Sequence, residues 1–108
     1  MKINIREQAK YRPDKMAKIA LAATSRAQLD LYCLEPGQVQ KPHVHDDQDK
    51  IYVLLEGRAR VTLGDRRETL GPGEAVLAPA GVAHGVENEG PAPALLLVFV
   101  SPPPVHAG

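Results

Sequence analysis

Glycine and proline punctuate this chain at short intervals, and this spacing limits what it can fold into. The 108 residues include 9 glycines and 10 prolines that recur singly or in small groups instead of pooling in one linker. Runs of three to seven residues rich in apolar side chains lie between them, which is typical of short strands joined by turns. The sequence therefore predicts an all-β protein. The predicted strands are Met16–Ala22, Leu29–Leu34, Ile51–Leu55, Ala59–Leu63, Ala75–Ala78, His84–Val86 and Leu95–Val100.

Two turns can be predicted from the residues they contain. Gly64-Asp65 stands between two such runs and predicts a two-residue hairpin, because glycine adopts the positive φ that tight hairpins need. Pro79-Ala80-Gly81 predicts a type I turn with proline at its second position and glycine at its fourth. Only residues 15–27 have a helix-friendly, alanine-rich composition, and we interpret the first half of that segment as strand.

Size and charge exclude several classes of protein. A chain of 108 residues predicts one domain, residues 1–108, with one core. The 13 basic and 13 acidic side chains cancel, and no block of like charge occurs, so we expect neither nucleic-acid nor membrane binding. The N-terminus lacks the apolar stretch of a signal peptide, which predicts a cytoplasmic protein. Cys33 is the only cysteine and has no partner for an intramolecular disulfide.

Three histidines stand in two frames that suggest a metal site. His43 and His45 are two residues apart, a spacing that puts both side chains on one face of a strand. His84 follows the Pro79 turn and would bring a third imidazole from a distant strand. Imidazole is the commonest protein ligand for divalent transition metals. The fourth histidine, His106, lies in the proline-rich tail, and we interpret it as a surface residue.

The two histidine frames resemble the paired motifs of the cupin family, over roughly residues 29–100. The first motif places a glycine six residues before His-x-His, then an acidic residue, then a second glycine. The second runs from a glycine through Pro-x-Gly and a histidine to an asparagine. The residues that match are Gly37, His43, His45 and Gly57 in the first motif, and Gly73, Pro79, Gly81, His84 and Asn88 in the second.

This resemblance implies a double-stranded β-helix, a jelly-roll barrel of antiparallel strands, with a metal near one mouth held by three histidines and a carboxylate. The N-terminal residues 1–15 and the tail 101–108 would be peripheral to the barrel. The cofactor implied is one divalent transition metal: iron, manganese, nickel or zinc.

The sequence departs from the family at the carboxylate, where Lys50 stands with six residues between it and Gly57. A protonated lysine is no metal ligand. Three alternatives stay open. A shifted register lets Asp49 or Gln48 provide the fourth ligand, the site is a bare three-histidine centre, or the site holds no metal and Lys50 fills the space of the ion.

Strand alternation puts Lys50 and Tyr52 on the same face of the strand 50–56. If that face is the inner one, the ammonium needs an anion beside it or a lowered pKa, and Tyr52 offers a hydroxyl to the same pocket. Both are therefore candidate catalytic residues. If Lys50 faces solvent or lies at a bulge, neither role follows.

The function expected is that of a metal-dependent protein acting on a small anionic or oxygen-rich molecule, through dioxygenase chemistry or through isomerase, cyclase or lyase chemistry. The alternative is a non-catalytic module that binds a small metabolite, with or without metal. A homodimer is expected to cover residues 1–12 and the apolar run Leu95–Val100, which a lone small barrel would leave exposed.

Overall fold

A computed structural model describes residues 1–104, so the interpretation of His106 falls outside the described part of the chain. These residues form a short 3-10 helix, Arg6–Gln8, and nine strands, which confirms the all-β prediction. No helix within this range is long or apolar enough to cross a bilayer. The strands are β1 (Ala17–Ala23), β2 (Gln28–Leu34), β3 (Val39–His43), β4 (Asp49–Glu56), β5 (Ala59–Leu63), β6 (Arg66–Leu70), β7 (Ala75–Ala78), β8 (His84–Glu87) and β9 (Ala94–Ser101).

The strands make two antiparallel sheets. The five-stranded sheet has the order β1-β2-β9-β4-β7 and the four-stranded sheet the order β3-β8-β5-β6. Strands that are neighbours in a sheet are mostly distant in sequence, as in the jelly-roll arrangement. The predicted double-stranded β-helix is thus confirmed.

Strand alternation fills the space between the sheets. In β4 the residues at 50, 52 and 54 are buried, whereas those at 51, 53 and 55 are only partly covered. One side of each strand therefore supplies the core, as the period of two in a pleated strand requires. The buried apolar residues between the sheets include Tyr32, Leu34, Tyr52, Leu54, Ala59, Val61, Val86, Leu96, Val98 and Val100.

The apolar run in β9 is explained by its central place in the five-stranded sheet, between β2 and β4. Its inner residues join the core, and on its outer face Leu95 packs with Leu31 and Cys33. The N-terminal segment contributes Ile5 and Tyr11 to that outer cluster. The chain thus covers part of this face by itself, although Phe99 remains 39% exposed.

The Gly64-Asp65 hairpin is confirmed, since Leu63 pairs with Arg66. The type I turn predicted at Pro79 is wrong in its register. The amide of Val82 donates to the Pro79 carbonyl at 3.2 Å, so proline occupies the first position and Gly81, with φ +83°, the third. A positive φ at the third position defines a type II turn, and only glycine adopts it without strain.

A β-bulge sets the register between β3 and β8. Gln40 pairs with Val86 and His43 with His84, so two residues of β3 oppose the single residue Gly85. Strict alternation would put Gln40 and His43 on opposite faces, and the extra residue brings both to the inner one. Gly85 permits this, because a Cβ there would lie 2.6 Å from the Gln40 carbonyl oxygen.

We expect Gly85→Ala to destabilise the fold by about 2–4 kcal/mol, because backbone atoms of β3 cannot yield to the methyl group as a side chain would. Gly90→Ala is the matched control, since its φ is also ordinary and the nearest atom to an added Cβ lies 3.5 Å away. Urea unfolding of both variants measures the difference. Equal stabilities for the two variants would contradict the role given to the bulge.

Candidate metal centre

Three imidazoles converge at one end of the barrel. His43 is the last residue of β3, His84 is the first of β8, and the bulge pairs the two directly. His45 lies two residues beyond the end of β3. The ring centroids are 4.5 Å apart for His43 and His84, 4.7 Å for His43 and His45, and 5.6 Å for His45 and His84. One nitrogen from each ring lies within 4.8 Å of the others, close enough to hold one ion.

The type II turn fixes the loop that carries His45. The amide of Gly81 donates to the His45 carbonyl at 2.9 Å. The amide of Ala80 donates to the Asp49 carboxylate, also at 2.9 Å. The turn that delivers His84 to β8 is therefore tied to the segment that carries His45, so the two sequence frames act as one structural unit.

Backbone carbonyls select the tautomers of two of the rings. Nδ1 of His43 lies 3.0 Å from the Lys41 carbonyl oxygen, and Nδ1 of His84 lies 3.0 Å from that of Val82. A carbonyl only accepts, so each Nδ1 carries the proton and each Nε2 keeps a lone pair. Nε2 of His84 is buried and has no hydrogen-bond partner among residues 1–104.

Burial favours the neutral form of His84 and of His45. It lowers the pKa of His84 to about 4, although the hydrogen bond to the Val82 carbonyl opposes the shift. Burial, followed by the neighbouring His43, also lowers the pKa of His45. Neutral rings with free lone pairs are what a divalent transition metal binds, so this donor set fits such an ion.

The carboxylate and the amide proposed as fourth ligands occupy different environments. Asp49 is exposed, and its Oδ1 accepts the hydrogen bond from Ala80. No acidic or cysteine side chain of the described residues joins the three histidines in their cluster. Gln48 is 6% exposed and lies between His45 and the start of β4.

Lys50 lies on the inner face of β4, the first of the orientations considered from the sequence. It is 4% exposed, and its Nζ is 3.4 Å from the Tyr32 hydroxyl and 5.8 Å from the centre of the Tyr52 ring. The pKa of Lys50 is lowered from 10.5 to about 8, first by burial and then by the nearby ammonium of Lys18, whereas Asp30 opposes the shift.

A chain of polar side chains runs inside the barrel beside Lys50. Gln40 Nε2 donates to the Tyr32 hydroxyl at 3.1 Å, and the Tyr52 hydroxyl donates to Gln40 Oε1 at 3.3 Å. The Tyr52 ring lies 6.3 Å from that of His84. Burial raises the pKa of Tyr32 to about 12, and it also raises that of Tyr52, so both phenols stay protonated at neutral pH.

Sequence reasoning missed Tyr32 and Gln40 as members of this site. Strict alternation puts Gln40 on the face opposite to His43, and only the bulge, which the sequence does not reveal, brings both to the inner face. Tyr32 carried a clearer signal. It shares a face of β2 with Asp30, and an acidic residue in an otherwise apolar strand indicates a polar interior.

The two-sheet barrel, with a partly buried three-histidine cluster at one end, is that of a small β-barrel protein with one candidate metal site. The family model for the cupin domain matches residues 30–100. The chain belongs to the cupin family.

Its relatives agree in fold but differ in size. An uncharacterized protein of Streptomyces coelicolor is 40% identical over 75 residues, which are 68% of each chain. Mannose-1-phosphate guanylyltransferase 2 of Escherichia coli is 34% identical over 68 residues, 63% of this chain but 14% of that enzyme. The crystal structure of TT1209 from Thermus thermophilus superposes with a TM-score of 0.92 at 49% identity and covers 94% of this chain and 97% of its own.

Replacing Lys50 by methionine tests the cost of the buried ammonium. At pH 7 we expect Lys50→Met to be more stable than the wild type by about 2–3 kcal/mol, because an isolated charge in a dry interior is disfavoured. The unfolded chain holds more protons than the folded one between about pH 8 and 10.5. Wild-type stability should therefore rise with pH across this window and approach that of the variant.

Urea unfolding of both proteins at pH 7, 8, 9 and 10 gives the difference between their free energies of unfolding. The effects of groups that titrate in both proteins cancel in this difference. A wild type that is more stable than Lys50→Met at every pH would show that the ammonium is fully paired within the protein.

Proposed function

We propose that the protein binds one divalent transition metal, iron, manganese, nickel or zinc, through His43, His45 and His84, and that it acts on a small anionic or oxygen-rich metabolite. The observation that carries the proposal is the orphaned Nε2 of His84, a buried lone pair beside two further imidazoles within 4.8 Å. A buried acceptor without a donor is unfavourable unless something else occupies the position in front of it.

The charge of the donor set supports an anionic ligand. Three neutral imidazoles leave the full double charge of the ion uncompensated, and Lys50 adds a further positive charge. When bound, such an ion polarises a carbonyl group or stabilises an enolate, and iron also supports dioxygen chemistry. We therefore propose an enzyme of the dioxygenase class or of the isomerase, cyclase or lyase class.

For the fourth position we propose Gln48 ahead of Asp49. The side chain of Gln48 is buried in the segment that joins His45 to β4, and its amide oxygen is an uncharged metal ligand. The carboxylate of Asp49 is engaged by the amide of Ala80 on the exposed side of the strand.

Lys50 and Tyr52 are the proposed catalytic residues. The Lys50 ammonium has three N–H groups and uses one on the Tyr32 hydroxyl, so two remain for an anionic oxygen of the ligand. The Tyr52 hydroxyl lies on the same face of β4, its raised pKa keeps it protonated, and it would turn its single O–H from Gln40 Oε1 to the ligand. Together they would orient the ligand and place a proton near a developing oxyanion.

Metal analysis tests this proposal directly. We expect about one divalent metal per chain in protein purified without tag or chelator, and a loss of at least about 100-fold in metal affinity in His84→Ala. Gln48→Leu should lower the affinity about tenfold, and Asp49→Asn, the matched control one residue away, should leave it unchanged.

Full metal binding by His84→Ala would contradict the three-histidine centre. A wild type that holds no metal, yet melts at a higher temperature in the presence of a small carboxylate, would instead support the non-catalytic binding module. The burial of Lys50 at the position of the family carboxylate is the observation that favours this second function.

We also propose that the protein is a homodimer through the outer face of the five-stranded sheet. Leu29, Phe99, Ile51 and Leu77 form one cross-strand row through β2, β9, β4 and β7, and the row carries no charge. Leu77 is 55% exposed. An uncharged row of side chains that crosses four strands matches the same row of a second copy, since apolar surface then meets apolar surface.

Sedimentation at micromolar concentration should give a dimer for the wild type and a monomer for Leu77→Glu. Val39→Glu is the control, because Val39 is 49% exposed but belongs to the four-stranded sheet. A monomeric wild type, or dissociation of both variants alike, would reject this interface.

A further inference from the structure

Asp30 is a carboxylate sealed inside the barrel. It lies in the middle of β2, is 0% exposed, and shares the inner face with Tyr32 two residues later. Its backbone pairs with Val98 of β9 and Ala20 of β1, so it stands in the five-stranded sheet opposite the histidine-bearing one. A buried carboxylate is strongly disfavoured unless its charge and both oxygens are compensated.

The charge of Asp30 is compensated, but one of its oxygens is not. Oδ1 accepts a hydrogen bond from Gln28 Nε2 at 2.7 Å. Oδ2 is buried and has no hydrogen-bond partner among residues 1–104. The nearest ammonium, Nζ of Lys18, lies 3.9 Å from Oδ2, which is an ion pair but too long for a hydrogen bond.

The inner face around Asp30 is continuous with the metal centre. The Tyr32 hydroxyl accepts from both Lys50 and Gln40, and Gln40 in turn accepts from Tyr52, whose ring contacts that of His84. Polar groups therefore line the interior from the three histidines to Asp30. The cationic side chains outnumber the anionic one, because the ammoniums of Lys18 and Lys50 lie near a single carboxylate, and a metal bound by the histidines would add to the positive charge.

We propose that Oδ2 of Asp30 accepts a hydrogen bond from a hydroxyl group of the ligand, so that the site selects small hydroxylated carboxylates over their deoxy analogues. This inference rests on the proposed function, which provides the anion-binding end of the same site. An ionised carboxylate only accepts, so its partner must be a donor. The surrounding positive charge selects a neutral donor, a hydroxyl, and disfavours an ammonium.

Paired probes test the proposal without knowledge of the natural ligand. Glycolate is compared with acetate, and L-malate with succinate, by titration calorimetry at constant ionic strength, with and without Ni²⁺. We expect the hydroxylated acid to bind the wild type about tenfold more tightly, the size of one hydrogen bond to a charged group. In Asp30→Asn the ratio should fall to within about twofold of unity.

The variant is informative because Gln28 would retain the remaining oxygen of the new amide. The amide nitrogen then stands where Oδ2 was, and an acceptor is replaced by a donor. Chelation of the metal by the hydroxyl contributes equally in both proteins, so the change in the ratio is the readout. Asp14→Asn, an exposed carboxylate paired with Arg12, is the control and should keep the wild-type ratio.

The proposal is overturned by an unchanged ratio in Asp30→Asn, or by a wild type that binds none of the four acids. Metal content of the same samples separates this failure from a failure of the metal centre. Circular dichroism checks the fold, and if Asp30→Asn does not fold, Gln28→Leu replaces it. That variant leaves the carboxylate in place without the donor that orients it, and it should lower the ratio about threefold; an unchanged ratio there would equally reject the proposal.

Discussion

The direct pairing of His43 with His84 is the contact on which the candidate site depends. It exists because β3 has one residue more than β8 between two paired positions, and Gly85 leaves room for that residue. Without the bulge, Pro42 would stand opposite His84 and His43 would turn toward the outer face. The inner surface would then keep Gln40 but lose the first imidazole. A single missing Cβ thus decides whether the three candidate metal ligands and the polar interior coexist.

The interior charge has an energetic consequence for the whole barrel. Most residues between the sheets are apolar, yet Lys50 and Asp30 are 4% and 0% exposed in the same layer. Their charges offset one another only in part, since the depressed pKa of Lys50 shows that burial outweighs the attraction of Asp30. A core optimised for stability alone would hold neutral side chains there. The polar layer therefore supports the proposal of a ligand that completes its hydrogen bonds, at the expense of stability in the free protein.

Much of the fold followed from the sequence because its signals are local. The Gly64-Asp65 hairpin and the strand alternation of β4 depend on neighbouring residues, and the motif glycines mark turns. The site residues Tyr32 and Gln40 were harder to find, since their positions depend on pairing between distant strands. Asn88 illustrates the limit of a motif. Its side chain binds the carbonyls of Leu34 and Ala92 and the amide of Gly90, so it joins loops and provides no ligand.

The position of Lys50 is fixed by the register of β4 against its neighbouring strands as well as by its own contacts. For Asp49 to face the histidines in its place, β4 would have to slip by one residue against β7 and β9. The slip would turn Tyr52 and Leu54 out of the core and bring Ile51 and Val53 in. It would also remove the Asp49 carboxylate from the amide of Ala80, which steadies the turn that delivers His84. The buried lysine and the exposed aspartate are therefore fixed together by the packing of one strand.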